Sequence, residues 1–224
     1  MQTLQSIDER PDLTEQVYRQ LLSAICEAKL APGARVTQDE LAVSLNVSRQ
    51  PVHQALRRLK NEGFLVDAGR RGLRVAPLDS ASLEQLYQVR AVLDGLAARL
   101  AAASGTRLDR SLIAEGRKAA RGAQVGAMIE ADMQFHQRIY AAAGNPFIAE
   151  TAGRHWQHIA RAMGAILAPE SMRASVWDEH QAILAAINDG DAAKAEMLAR
   201  RHCDAAGKNL STQLQATMRQ EASL

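Results

Sequence analysis

The chain has 224 residues, 47% of them hydrophobic, 23% charged and only 4% aromatic. It can bury a core, is not a disordered chain, and fits one large domain or two small ones. No apolar run approaches the roughly 18–20 residues that span a bilayer, MQTLQSIDERPDL has neither region of a secretory signal, and the distant Cys26 and Cys203 form no disulfide framework, so the expected place is the cytoplasm, with both thiols reduced.

The formal charge of +2 names no partner, but its distribution is uneven. Between Arg49 and Arg74 seven basic residues face two acids, whereas residues 79 to 224 carry 16 of each sign. A local basic excess beside a neutral remainder is the footprint of a nucleic-acid module joined to something else. Alanine is similarly uneven, with 34 from Asp79 onward against 8 before it. Since Ala favours helix and disfavours strand, the second part is expected to be all helix.

In chain order, residues 13 to 28 place Val17, Leu21, Leu22 and Ile25 at helical spacing, with Thr14 as the expected cap. Pro32-Gly33 ends that helix. A second helix starts at Thr37, with Glu40 completing a capping-box pattern. Asn46-Val47-Ser48 breaks it, and Ser48 caps a third helix carrying Val52, Ala55, Leu56 and Leu59 on one face, stopped by Gly63. The period then changes to two: Phe64-Leu65-Val66 and Leu73-Arg74-Val75 flank Ala68-Gly69-Arg70-Arg71-Gly72, a hairpin with a basic tip. Three helices and a hairpin predict a winged helix-turn-helix over residues 1–78.

Pro77-Leu78-Asp79-Ser80 is the linker. An all-α antiparallel bundle is expected over residues 79–224, with helices at 81–103, about 108–121, 125–142, near 147–167, 170–188 and 191–216. The whole reads as mostly α.

The start of the third helix, Ser48-Arg49-Gln50-Pro51-Val52-His53, has the chemistry to read a major groove. Arg49 can fork onto guanine or phosphate, Gln50 can read adenine, and Ser48 with the helix N-terminus can hold phosphate. Arg71 and Gly72 at the wing can follow the backbone. With Arg35, His53 and Arg58 these form the expected DNA-contact set, although Arg57, Arg58 and Lys60 equally fit an ordinary solvated face.

The run Leu30-Ala31-Pro32-Gly33, Leu41-Ala42, Val47-Ser48-Arg49, Pro51-Val52, Ala55-Leu56, Leu59, Glu62-Gly63 and Gly72 to Val75 resembles the N-terminal domain of the GntR family of transcription factors, over about 60 residues. His53 departs from that pattern, where the family usually has Arg.

Of six histidines, His136 lies four residues after Asp132, on one face of a helix with Cβ atoms roughly 5–6 Å apart. His180 and His202 lie on opposite arms of a hairpin turning at Asn188-Asp189-Gly190-Asp191, eight residues before it and eleven or twelve after. Three imidazoles and a carboxylate suit zinc, nickel, manganese or iron(II). The spacing alone fits unrelated core or surface groups just as well. Leu86-Tyr87-x-Val89-Arg90, Asp132-x-x-x-His136, Ala143-Gly144-Asn145-Pro146, Glu179-His180-x-x-Ile183-x-x-Ala186-Ile187, Gly190-Asp191 and His202 make residues 80 to 220 similar to the helical FCD effector domain of the FadR-type subfamily. That resemblance implies a divalent metal, zinc foremost, on Asp132, His136, His180 and His202. It also implies a small organic acid pairing with Arg90, and Asn145 as either a pocket donor or a helix cap. His155 and His158 match no ligand position and read as pocket lining or surface.

The implied function is a non-enzymatic, homodimeric repressor on a palindromic operator, its DNA affinity set by the acid. A regulator with a structural or sensed metal, and a metal-dependent enzyme, stand as alternatives.

Overall fold

The computed structural model describes residues 12–69, 72–166 and 170–221, and separates the chain into two compact units, Met1–Pro77 and Leu78–Leu224. Among the described residues no helix is long and apolar enough to cross a membrane.

The first unit runs α1 (Leu13–Cys26), β1 (Arg35–Val36), α2 (Gln38–Leu45), α3 (Arg49–Asn61), β2 (Leu65–Asp67) and β3 (Leu73–Val75). Val17, Leu21, Leu22 and Ile25 of α1 are buried, as are Val52, Ala55, Leu56 and Leu59 of α3, so the stripes legible in the sequence form the core. Three local details differ from expectation. Asp12, not Thr14, caps α1, accepting from the backbone N–H groups of Thr14 and Glu15; the carboxylate sits one residue ahead of the first turn, where it meets two orphan donors. Ser48 occupies the N-cap of α3 without a side-chain cap bond. The wing has a third strand: β1 pairs antiparallel with β3, with Arg35 opposite Arg74, giving the order β1-β3-β2. Two residues are too few for a period to show in sequence.

The α2–α3 turn is set by Asn46, whose left-handed backbone (φ 51°, ψ 47°) ends α2; Asn is among the few residues that tolerate it. Thr37 opens α2, its hydroxyl accepting from the Glu40 N–H and donating to the Glu40 carboxylate at 2.7 Å.

The second unit contains α4 (Ser80–Ala103), α5 (Ser111–Arg121), α6 (Val125–Ala142), α7 (Pro146–Ala165), α8 (Glu170–Asn188) and α9 (Ala192–Glu221). The alanines serve close approach: Ala91, Ala97, Ala98, Ala101 and Ala102 of α4 are buried, as are Ala195, Ala199 and Cys203 of α9, and these two helices share the most extensive contact. They run antiparallel, Gly207 touching Tyr87 and Gly95 touching Arg200. A Cβ on Gly207 would lie 2.6 Å from that of Tyr87. Phe135, Ile139, Trp177, Ile183 and Ile187 fill one side of the bundle, and Leu83, Tyr87, Ile159 and Leu214 the other. The expected helix bounds shift by a few residues at α4, α5, α7 and α9, as fraying ends do.

Candidate metal centre and DNA-reading face

In the second unit α6 contributes Asp132 and His136, one turn apart on its buried face. His180 comes from α8 and His202 from α9. All four side chains are buried, His180 completely. Ring nitrogens of the three histidines lie within 4.8 Å of one another. His180 Nε2 is 3.1 Å from His202 Nε2. The Asp132 oxygens lie 3.6 Å from His180 Nε2 and 3.8 Å from His136 Nε2.

For His136 and His202 the opposite nitrogens explain why Nε2 faces inward, whereas His180 Nδ1 is buried with no hydrogen-bond partner. His136 Nδ1 is 3.1 Å from Asp94 Oδ2, and His202 Nδ1 is 2.7 Å from Glu179 Oε2. A carboxylate that takes the Nδ1 proton leaves Nε2 with its lone pair, the form that ligates a metal. His136 Nε2 is buried without a hydrogen-bond partner, and such a group is costly unless something satisfies it. Burial, foremost, lowers the pKa of His136 and of His180, keeping both neutral at pH 7. Neutral imidazoles at His136 and His180, an adjacent carboxylate and the unpartnered His136 Nε2 facing the cluster fit a divalent transition metal.

Asp94 is the hub of this network. It accepts from Arg90 Nε at 3.3 Å, from the Cys203 thiol at 3.1 Å, from His136 Nδ1 and from the Tyr140 hydroxyl. Burial works against its charge, but the His136 ring, the Arg90 guanidinium and these hydrogen bonds hold its carboxyl well below the usual range. Burial pushes the Cys203 thiol up, keeping it a donor. Neither cysteine forms a disulfide, and both are buried.

Arg90 is 5% exposed. Its Nη2 lies 3.7 Å from Asp132 Oδ2 and makes no hydrogen bond. Together with Asp132 and His202 it borders a cavity of about 510 Å³ bounded also by Met163, Trp177 and Leu210, within the size range of small-molecule sites. Asn145 is not part of that lining. Its side-chain oxygen accepts from the Phe147 N–H at 3.1 Å and caps α7, so of its two expected roles the structure gives it the cap. His155 is exposed and His158 half-buried on α7, both away from the histidine cluster.

Sequence reasoning missed Asp94 and Glu179 as supports. The i, i+4 spacing of Arg90 and Asp94 on an otherwise apolar helix was the available signal. Glu179 meets His202 only across two helices and leaves no local trace.

In the first unit, Ser48, Arg49, Gln50 and His53 are exposed on α3, opposite its buried stripe, and Arg57 continues the same row. Arg49 Nε rests 2.9 Å from Asp39 of α2. Arg35 is exposed on the wing sheet, its guanidinium beside Gly72, where a Cβ would come within 3.2 Å of Nε. Arg71 lies outside the described residues. Arg58 departs from the expected contact set. It turns back onto α1, pairing with Glu15 at 2.7 Å and Glu62 at 3.0 Å, with its guanidinium 3.6 Å above the Tyr18 ring. Two carboxylates and an aromatic face engage it within the head itself. Lys60 is likewise paired, with Asp67.

Residues 13–75 match the family model for bacterial regulatory proteins of the gntR family, and residues 85–205 match the FCD domain. The chain is 34% identical over 124 residues to the Nta operon transcriptional regulator of Aminobacter aminovorans, an alignment covering 54% of this chain and 59% of that protein. It is 28% identical over 199 residues, 86% of each chain, to a protein of Paenarthrobacter nicotinovorans named as a probable D-xylose utilization operon transcriptional repressor. Among solved structures, E. coli McbR/YncC superposes with a TM-score of 0.72 at 23% identity, covering 94% of this chain and 98% of that one. The two sequence relatives are named as a transcriptional regulator and a probable transcriptional repressor. A head with an exposed, basic helix start, followed by an α bundle gathering buried histidines beside a cavity, together with the two domain matches, establishes that the chain belongs to the GntR family, in its FCD-domain branch.

Proposed function

We propose that the protein is a homodimeric repressor whose operator affinity is controlled by a small organic acid bound at a metal centre in the helical unit. Arg49, Gln50 and His53 would read the major groove, with Ser48 and the α3 N-terminus on phosphate. Arg35, Arg71 and Gly72 would follow the backbone with the wing. Two such heads suit a palindromic site, as two-fold symmetric readers do. Support for the dimer comes from α4, where Val89 and Val92 are half exposed beside Leu86 and Leu93, an apolar surface of the kind isologous interfaces cover.

Asp132, His136, His180 and His202 would hold the metal, zinc being the first choice for this donor set. When bound, a divalent ion supplies Lewis acidity that attracts and orients carboxylate oxygens. Arg90 contributes the fixed charge, directing its Nη2 toward an incoming carboxylate. Asp94 holds the Arg90 and His136 side chains at once, so a shift in one is felt by the other. The observation that carries this reading is the convergence of three inward Nε2 atoms and Asp132 beside a cavity that Arg90 also lines. By linkage, an acid that weakens DNA binding is itself bound less tightly by the DNA complex, typically by about 5- to 150-fold.

Three measurements test it together. Arg49→Ala is expected to bind operator at least tenfold more weakly in a gel shift. Elemental analysis should find one transition metal per wild-type chain and a loss in His180→Ala. A thermal-shift screen of organic acids should find at least one that stabilises the metal-loaded protein and changes operator affinity. A wild type that neither carries nor takes up metal would overturn the centre. A metal-loaded protein that no acid stabilises, and that unfolds on chelation, would leave a purely structural ion.

A further inference from the structure

The cavity beside the histidine cluster is two-sided. Its buried end is formed by Arg90, Asp132 and His202. From there the described wall runs over Met128, Ile129, Met163, Ile166, Trp177 and Leu210. Its other polar side chains are Tyr87, whose hydroxyl accepts from Arg90, the half-buried Gln213, and Arg121 and Asn209, both exposed. Arg90, the one guanidinium at the buried end among the described residues, has one nitrogen, Nη2, without a hydrogen bond. Beyond Arg90, the described wall offers no buried cation to pair with a second carboxylate.

Resting on the reading of an acid effector at this site, we infer that the effector is a monocarboxylate with an apolar body, aryl or branched alkyl, and not a sugar acid or a tricarboxylate. A polyhydroxylated body would place hydroxyls against methionine, isoleucine, leucine and indole surfaces. Each hydroxyl left unpaired there weakens binding about 5- to 150-fold. An apolar body instead gains about fourfold for each methylene withdrawn from water. The carboxylate seats at the Arg90 end, and the body lies along Met163, Trp177 and Leu210. Preference for the body therefore resides chiefly in Met163 and Leu210, whereas Trp177 also packs edge-on against His180, with ring centroids 4.7 Å apart.

The test uses full-length, metal-loaded protein and four probes: 3-phenylpropionate, acetate, gluconate and citrate. Calorimetry measures affinity, and the fluorescence of Trp177, one of two tryptophans in the chain, reports occupancy of the wall. The expected result is that 3-phenylpropionate binds at least tenfold more tightly than acetate, gluconate or citrate. Leu210→Gln should erase that margin while leaving acetate binding and metal content unchanged, whereas Arg90→Gln should weaken both monocarboxylates. If circular dichroism shows Leu210→Gln unfolded, Met163→Gln carries the same comparison. Gluconate or citrate binding more tightly than 3-phenylpropionate overturns the inference while leaving acid-controlled regulation intact. Equal losses of acetate and 3-phenylpropionate in a folded Leu210→Gln overturn it too. Failure of all four acids to bind, with Arg49-dependent operator binding retained, removes the acid effector itself and this inference with it.

Discussion

Asp94 offers the most demanding test of the centre. Asp94→Asn keeps the shape of the side chain but removes the charge facing Arg90 and puts an NH2 group where only acceptors are wanted. Arg90 and Asp94 are 5% and 3% exposed, and removing one partner of a buried pair costs about 3–5 kcal/mol. Asp132 stays 3.7 Å from Arg90, so the lower end applies. For a helical unit of Leu78–Leu224, about 3 kcal/mol corresponds to a fall in melting temperature of roughly 6–12 °C. His136 also loses the acceptor that fixes its Nδ1 proton, and loss of such an outer partner lowers metal affinity about 10- to 100-fold. Calorimetric melting and competition against a chromogenic chelator measure the two effects separately. An Asp94→Asn protein that melts within about 2 °C of wild type, or holds metal as tightly, would refute the role of Asp94 as the common support.

Glu179→Gln should weaken metal binding about tenfold in the same competition, with little change in melting, because the Glu179 side chain is 43% exposed and no buried charge is stranded. Gly116→Ala should destabilise the bundle by about 1–3 kcal/mol in denaturant melts, since the new methyl would overlap the Trp177 ring. Arg58→Ala should leave operator affinity within about twofold of wild type in a gel shift while lowering stability by up to ~1 kcal/mol, as its partners lie on α1 and its own helix.

The fold was legible where burial imposes a period. The α1 and α3 stripes and the wing hairpin are periodic, and each lies where the spacing put it. Strand β1 escaped because Arg35–Val36 forms only through pairing with β3. The Thr14 cap failed because the helix already begins at Leu13, so Asp12 holds the N-cap position and Thr14 lies inside the first turn. At the candidate centre, Asp132 and His136 were legible from their single turn of separation, whereas His180 and His202 were brought in by arm lengths around a hairpin and by family resemblance. What could not be read was the outer network. Glu179 reaches His202 from another helix, and Cys203 reaches Asp94 across 109 positions. Arg58 belonged to a basic run, and only the fold reveals that Glu15, from a helix 43 residues earlier, has taken it.

The Arg49–Asp39 contact shapes how the head treats DNA in general. Both side chains are largely exposed, 73% and 68%, so the pair is weak and salt-screened. If Arg49 reads DNA as proposed, Asp39 would act as a decoy phosphate, part-neutralising the guanidinium until a better anion or a guanine edge displaces it. Random duplex must evict the decoy for a mere backbone contact, whereas a cognate site returns a bidentate base contact for the same eviction. The carboxylate thus acts as a toll on casual encounters, and stripping it away (Asp39→Asn) should make the protein stickier toward any sequence and less discerning about its own.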